Sequence, residues 1–388
     1  MKKMLKKFLF LNIAAVCVIG STYAQNATKD YNPILTGVPS LTITPDARGG
    51  GMGDAGVATA PDIYSQYWNP AKYAFATGRA GAALGYTPWL KKIVDDVYLG
   101  YAVGYYKLGS GDNQALSASI RYFSIGDVHL ANDFGYTGAS ISPYEMSVDI
   151  GYSRKLTNTF SAGVTLRYIR VDYSGADDET SADGVFAADI SGYNESYVNI
   201  GQSESLLSFG FNISNIGGKI SNNDGMTNSF IPTNLRLGAS LMYPINDVST
   251  ISASLDLNKL LVPTPPIKGE DEDQDDYEKR YQDYTDISSI SGIFKSFSSG
   301  DEGFSEKLKE VAVSFGVEYD YNDQFKVRTG YYHENEMKGN RRYFTFGAGF
   351  KMKSIQLDAA YLLSTVSQNP LDQTLRLTLA YTFPQSNR

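Results

Sequence analysis

The chain has 388 residues, with 34 Lys and Arg against 42 Asp and Glu, two histidines and a single cysteine. A net charge of −8 with no basic stripe argues against a nucleic-acid partner, and one lone Cys rules out a disulfide framework or a thiolate metal site. Abundant Tyr and Phe together with 37 Gly leave either a secreted β-rich protein or an outer-membrane one.

The first 24 residues read as a secretory signal peptide. Lys2, Lys3, Lys6 and Lys7 form a basic start, Phe8 to Ile19 an apolar run, and Thr22-Tyr23-Ala24 a small-residue cleavage site. Val16 stands before Cys17, where a lipoprotein leader carries a small residue, which argues against lipidation. No later stretch approaches the ~20 apolar residues of a spanning helix.

Residues 25–78 precede the first clear strand and contain "PDARGGGMGDAGVATAPD" at 45–62. Gly51, Gly53 and Gly56 have the spacing of a dinucleotide-binding turn. That turn needs a strand before it, a helix after it and a βαβ unit around it. Here Pro45 and Pro61 break both flanks, and no parallel-sheet pattern follows. Glycine also serves a segment whose backbone must pass close to other backbone and turn sharply. Residues 25–78 are therefore expected to form a plug inside a barrel.

From residue 79 onward the pattern has a period of two. Phe160, Ala162, Val164, Leu166 and Tyr168 alternate with Ser161, Gly163, Thr165 and Arg167, and Leu375, Leu377, Leu379, Tyr381 and Phe383 do the same near the end. Alternation over nine to eleven residues marks a tilted membrane strand with one face in lipid. Fourteen such segments are expected, at 79–88, 97–108, 114–126, 143–156, 159–173, 183–193, 204–215, 233–243, 248–260, 310–321, 324–334, 341–352, 354–363 and 373–383. Connections after even-numbered segments are mostly tight and those after odd-numbered ones long, as in an outer-membrane barrel with both termini periplasmic. The 194–203 connection is longer than that rule wants. In hydrocarbon an open sheet edge leaves N–H and C=O groups unsatisfied at several kcal/mol each, so the fold class is a closed, all-β, 14-stranded antiparallel transmembrane barrel. Tyr381 and Phe383 resemble an outer-membrane assembly signal, followed here by the polar tail 384–388.

The inward positions carry Arg121, Glu145, Asp149, Arg167, Arg236, Asp256, Glu318, Arg328, Asp358 and Arg376. Both signs occur, which suits a lumen laced with ion pairs or plain solvated interior charges better than a selective pore. The longest interruption, 261–309, begins with "VPTPP", continues through the acidic run "KGEDEDQDDYEKR" and ends in an apolar-polar mix with a short surface helix expected over 287–299. The acidic run fits no EF-hand, since Asp276 and Gln282 stand where Gly and Glu are needed, so it reads as a solvated charge run. Loops of this length are functional or disordered, which makes Pro265, Pro266, Ile293, Phe294 and Phe297 the candidate partner contacts. His129 and His333 have no nucleophile or metal-ligand spacing around them, and no cofactor, metal or enzymatic activity is expected.

The stretch "PSLTITPDARGGGMGDAGVATAPD…YWNPAKYAF" resembles the N-terminal signature of the PorV (LptO) family of type IX secretion, with Val38 where the family has a leading Leu. It is more distantly similar to FadL-like fourteen-stranded transporters. The matching positions are Ala47, Arg48, Gly51, Met52, Gly53, Ala55, Ala58, Asn69, Pro70 and Ala71, and further similarity to PorV runs through "YTPWL" at 86–90, "SIRYFS" at 119–124 and "YSRKL" at 152–156. The resemblance implies an outer-membrane protein that binds the C-terminal signal domain of secreted cargo at a large translocon barrel. It would then deliver that cargo to a sortase-like surface protein. The more distant resemblance implies a channel for hydrophobic small molecules, with outer-membrane lipid as the bound species.

Overall fold

The computed structural model describes residues 31–91, 96–109, 113–131, 137–174, 182–221, 228–269, 271–298, 303–366, 369 and 371–383; the expected leader at 1–24 and the polar tail at 384–388 lie outside them. Fourteen strands close into one antiparallel barrel. They are β1 (Ala80–Pro88), β2 (Tyr98–Leu108), β3 (Gln114–Ser124), β4 (Tyr144–Lys155), β5 (Phe160–Asp172), β6 (Ala182–Ile200) and β7 (Ser203–Gly217). The second half comprises β8 (Asn234–Asn246), β9 (Ser249–Leu260), β10 (Val311–Tyr321), β11 (Phe325–His333), β12 (Arg342–Met352), β13 (Ile355–Ser364) and β14 (Leu375–Phe383). Each pairs with its chain neighbours, and β14 returns to β1 in a register running from Ala80↔Phe383 to Tyr86↔Leu377. That closure removes the free edges that hydrocarbon would penalise.

Alternation decides which face meets lipid. On β3, Leu116, Ile120 and Tyr122 are exposed outward while Ser117, Ser119 and Arg121 are buried inward. Near the long-loop end, Tyr86, Tyr98, Tyr122 and Tyr144 form a continuous row across β1 to β4, with ring centroids 5.7, 6.3 and 5.4 Å apart. Tyr168 on β5 and Phe186 on β6 extend it at 5.1 Å. Aromatic rings are favoured at this boundary between water and hydrocarbon. At the opposite end the turns are short. Asn322 and Asp323, with φ of 57° and 52°, are the central residues of a turn closed by the Gln324 amide donating to the Tyr321 carbonyl in the three-residue β10–β11 connection, a conformation that Asn and Asp tolerate better than most residues.

The structure departs from the sequence expectation at β6. This strand runs to Ile200, so the supposed 194–203 connection is only Gly201–Gln202, with Gly201 at φ 66°. Pairing with β5 ends at Phe160↔Asn194, whereas pairing with β7 continues to Ile200↔Ser203. The hairpin projects past its neighbour, where a strand no longer needs an apolar face, and so its alternation fades. Two long connections also contain small hairpins, Val128–Ala131 with Thr137–Ile141 and Lys219–Ser221 with Asn228–Phe230.

Inside the barrel lies the segment from Asn32 to Gly78, with two short helices, α1 (Ala47–Gly51) and α2 (Ser65–Trp68), and 3₁₀ turns at Pro39–Thr42 and Pro70–Phe75. It spans the full height of the lumen. At the long-loop end the Asn32 and Gly37 amides donate to the Met337 and Phe230 carbonyls, both at 2.9 Å. At the short-turn end the Lys107 ammonium donates to the Ala76 carbonyl at 2.6 Å, and the chain then enters β1. Asn32 and Phe383 thus lie at opposite ends of the barrel. The expectation of a periplasmic N-terminus falls on residues outside the described ones.

The long connection after β9 contains α3 (Gln274–Thr285), α4 (Ser289–Lys295) and α5 (Gly303–Lys309). The acidic run is therefore a helix start as well as a charge run. The Asp273 carboxylate caps α3 by accepting from the Asp275 amide, and Asp275 and Asp276 sit in the first turn, where the helix dipole favours negative charge.

Candidate functional site: the filled lumen and its long-loop mouth

Each glycine of the 51–56 motif is required by a different neighbour. A Cβ on Gly51 would stand 3.1 Å from the Gly347 Cα of β12. Gly53 has φ +68°, and a Cβ there would stand 2.5 Å from the Tyr331 amide nitrogen and 2.7 Å from the Phe315 oxygen, both wall backbone. On Gly56 a Cβ would collide with the Trp68 ring at 2.3 Å. The wall answers in kind: a Cβ on Gly330 would lie 2.1 Å from the Gly53 nitrogen, and one on Gly316 would lie 2.4 Å from the Met52 oxygen. Strand glycines at inward positions were the signal that sequence reasoning passed over. They mark where inner backbone touches outer backbone.

Charged and polar side chains then bolt the segment to the wall. Arg48 donates to both Glu318 oxygens, at 3.2 and 3.0 Å, and to Asp62 at 2.6 Å. On the wall Glu318 also accepts from Arg328 at 2.5 Å, and Arg328 donates onward to Asp358 at 2.6 Å. Asp256 accepts from the Gly56 and Val57 amides at 2.7 and 2.9 Å. Asn69 caps the following 3₁₀ turn through the Ala71 amide, and its Nδ2 donates to the Val57 and Gly192 carbonyls, while Pro70 starts that turn without a spare N–H. Arg121 donates to the Ser40 and Ile43 carbonyls, and Arg236 to the Tyr67 carbonyl. All ten inward charges expected from the sequence are buried. Asp149, Arg167, Glu318, Arg328, Asp358 and Arg376 stand in ion pairs, and Arg121, Glu145, Arg236 and Asp256 are held by backbone groups of the inner segment.

The segment's own ionisable groups feel this burial. Burial, reinforced by Asp62, pushes the Asp46 carboxyl up to about 6 even though it accepts from the Gly49 amide and the Trp68 indole, each at 2.7 Å. Lys72, wholly buried and donating to the Gly56 carbonyl at 2.8 Å, is pushed down to about 8, by burial above all. Burial alone would raise Asp62, but Lys72 and Arg48 together hold it below the usual carboxylate range.

At the long-loop mouth, between the inner segment and β8 to β12, lies a cavity of about 380 Å³. Tyr67, Trp68, Arg236, Tyr332, Arg341 and Tyr343 are among its lining residues. The Arg236 guanidinium lies 4.4 Å from the Tyr67 ring centroid, and Arg341 is held by Glu334 through two contacts of 2.8 Å. Of the expected partner contacts, Pro265 and Pro266 are half-buried, and the Pro265 carbonyl accepts from Asn32 Nδ2 at 3.2 Å. Ile293 is half-buried, whereas Phe294 and Phe297 stand in the open. His333 ends β11 with its side chain exposed; His129 lies in the small hairpin after β3, its side chain outside the described residues. Among the described residues no three His, Cys, Asp or Glu side chains gather to hold a metal ion.

The model of the family described as "Type IX secretion system protein PorV" matches residues 26–267. The chain belongs to the PorV family. It is thereby an outer-membrane component of type IX secretion, as the resemblance implied. The family match takes in the whole described inner segment, β1 to β9 and the proline-rich exit from β9; α3 to α5 and the last five strands lie beyond it. No curated protein matches the chain. Among solved structures it is similar to the toluene transporter TbuX of Ralstonia pickettii, at 12% identity and a TM-score of 0.48 over 89% of this chain and 100% of that one. A FadL homologue of Pseudomonas aeruginosa gives 13% and 0.44 over 88% and 99%. The toluene transporter TodX of P. putida gives 11% and 0.48 over 92% and 100%. The barrel is established by the strand pairing itself, and the PorV motif residues Ala47, Arg48, Gly51, Met52, Gly53, Asn69 and Pro70 all lie on the inner segment.

Proposed function

We propose that this PorV-family chain works at its long-loop end as a receiver of proteins leaving the cell. In this reading the long-loop end faces outward. It binds the C-terminal signal domain of secreted cargo emerging from a large translocon barrel and passes that cargo to a sortase-like surface protein. The observation that carries the reading is the filled lumen: the inner segment acts as a plug, tied to the wall by Arg48, Asn69, Asp256 and the Arg121 and Arg236 guanidiniums. Solute passage would require breaking buried charge pairs, each costing about 3–5 kcal/mol when one partner is lost. A barrel sealed in this way acts through its ends, and the long-loop end has the larger built surface. Pro265, Pro266 and the acidic helix α3 form the part of that surface assigned to protein partners. The test is deletion of 265–300, with a cargo C-terminal domain as bait. Capture is lost while the barrel keeps its folded, heat-modifiable migration; undiminished capture removes the connection from this role.

A second reading, a channel for hydrophobic small molecules, is favoured by the aromatic side of the 380 Å³ cavity. The Arg236 and Arg341 heads in the same cavity weigh against an apolar guest. Mass spectrometry of the purified barrel decides: a stoichiometric bound lipid supports the channel, and co-purifying protein supports the receiver.

A further inference from the structure

The helix α4 is inside out. Its buried face consists of Gly292 and Ser296, one helical turn apart, and a Cβ on Gly292 would stand 2.9 Å from the Phe230 ring and 3.2 Å from Pro263. Its open face presents Ile290, Phe294 and, just past its end, Phe297, with exposures of 66%, 73% and 53%. These three follow the i, i+4, i+7 spacing of a single helical stripe. A surface helix in water turns such a stripe toward the core; this one turns it away.

The position of that stripe identifies what covers it. Lys259 pairs across β8 and β10 with Leu235 and Val311, so it belongs to the outward-facing row at the long-loop rim of the wall. Its ammonium turns to the buried Glu310 carboxylate and lies 5.8 Å from the Phe297 ring centroid, which sets the end of α4 beside the rim at β9. This sector is also where the wall's own aromatic row is interrupted. Tyr86, Tyr98, Tyr122, Tyr144, Tyr168 and Phe186 supply the row on β1 to β6. On β8 and β9 the outward positions of the long-loop half are Leu235, Leu237, Leu257 and Lys259, with no ring among them, whereas β10 again carries an exposed Phe315 opposite Tyr331 of β11.

We propose that the Ile290–Phe294–Phe297 stripe lies in the headgroup–acyl boundary of the leaflet at the long-loop end, completing from a loop the aromatic belt that β8 and β9 lack. The occupant of this face is lipid. Aromatic and aliphatic side chains on a short helix are stabilised at that depth, and the exposed Lys295 on the same helix reaches the headgroups. Anchoring the middle of the long connection in this way fixes where α3 and α5 stand relative to the mouth. The inference depends on the barrel spanning a membrane and not on the secretion role, so either can fail alone.

The test uses single cysteines. The only natural Cys is Cys17, inside the expected leader, so a leaderless chain offers an introduced thiol as its sole label site. Phe294→Cys and Phe297→Cys, with Tyr281→Cys on α3 as the water-facing control, are labelled with an environment-sensitive fluorophore. Each is reconstituted in phosphatidylcholine–phosphatidylglycerol vesicles. The expected result is blue-shifted emission at 294 and 297, quenching by a lipid with its nitroxide near the headgroup, and iodide quenching at least about threefold weaker than at 281. Equal iodide quenching at all three sites, without lipid quenching, overturns the proposal and leaves the stripe as a protein-docking face. Shielding from both quenchers overturns it as well.

Discussion

Replacing Gly53 by alanine asks the inner segment to accept one methyl group where none fits. Two costs combine. A non-glycine residue at φ +68° in the left-handed region costs roughly 1–2 kcal/mol. The methyl carbon would meet Tyr331 nitrogen at 2.5 Å, Phe315 oxygen at 2.7 Å and Tyr331 oxygen at 2.8 Å, all wall backbone and hydrogen-bonded within the β10–β11–β12 sheet. Overpacking of this kind costs about 1–3 kcal/mol. The sum is near 3 kcal/mol, or about a hundredfold in the opening equilibrium of the segment. Gly51→Ala places its methyl 3.1 Å from the Gly347 Cα at an ordinary helical φ, and so costs only about 1 kcal/mol. Native-state hydrogen exchange followed by mass spectrometry reads both. The Gly49, Gly53, Gly56 and Val57 amides, bound to Asp46, Thr345 and Asp256, exchange about a hundredfold faster in Gly53→Ala while the strand amides keep their protection. Unchanged exchange at these amides, or a larger effect for Gly51→Ala, would refute the close-backbone account of the motif.

Three further outcomes follow from the same contacts. Arg48→Met leaves Glu318 with Arg328 but strips Asp62 of its guanidinium, so the inner segment loses about 3–5 kcal/mol; a loss below about 1 kcal/mol by exchange or thermal melting would mean that water replaces the fork. The Lys72 ammonium, depressed from 10.5 to about 8, binds its proton less tightly in the folded chain, so wild type gains stability over Lys72→Met as pH rises from 8 to 10.5. The size of that gain is on the order of 3 kcal/mol, and parallel melting curves for the two proteins across this window would count against a buried charged lysine. Asn69→Ala removes the cap on the Ala71 amide and the two bonds from Nδ2, which costs about 2 kcal/mol and raises exchange first in the Pro70–Phe75 turn; loss of β6 protection instead would place the damage in the wall.

Alternation alone located all fourteen strands, because a lipid-facing residue and a lumen-facing one must alternate along every strand. Where that constraint lapses, the sequence was misleading. The β6–β7 hairpin beyond Asn194 projects past its neighbour, and its polar residues read as a loop. The acidic run read as solvated charge because its helix signal is a cap and a first-turn charge pattern, with no apolar period to announce it.

The candidate site was legible in part. The flanking prolines excluded the nucleotide turn that the glycine spacing offered, the glycines pointed to close backbone contact, and the inward charges could be named strand by strand. Their partners could not, since Arg48 and Glu318 are 270 residues apart and only closure of the barrel brings them together. The inverted face of α4 was equally hidden. The sequence offered Ile293, Phe294 and Phe297 on a short helix, but which side of that helix meets Phe230 and which meets the rim beside Lys259 depends on where the tertiary fold sets it. Periodicity is a local property imposed by the solvent on each face of a strand. Pairing across the lumen is a property of the closed cylinder, and it exists only once the cylinder has formed.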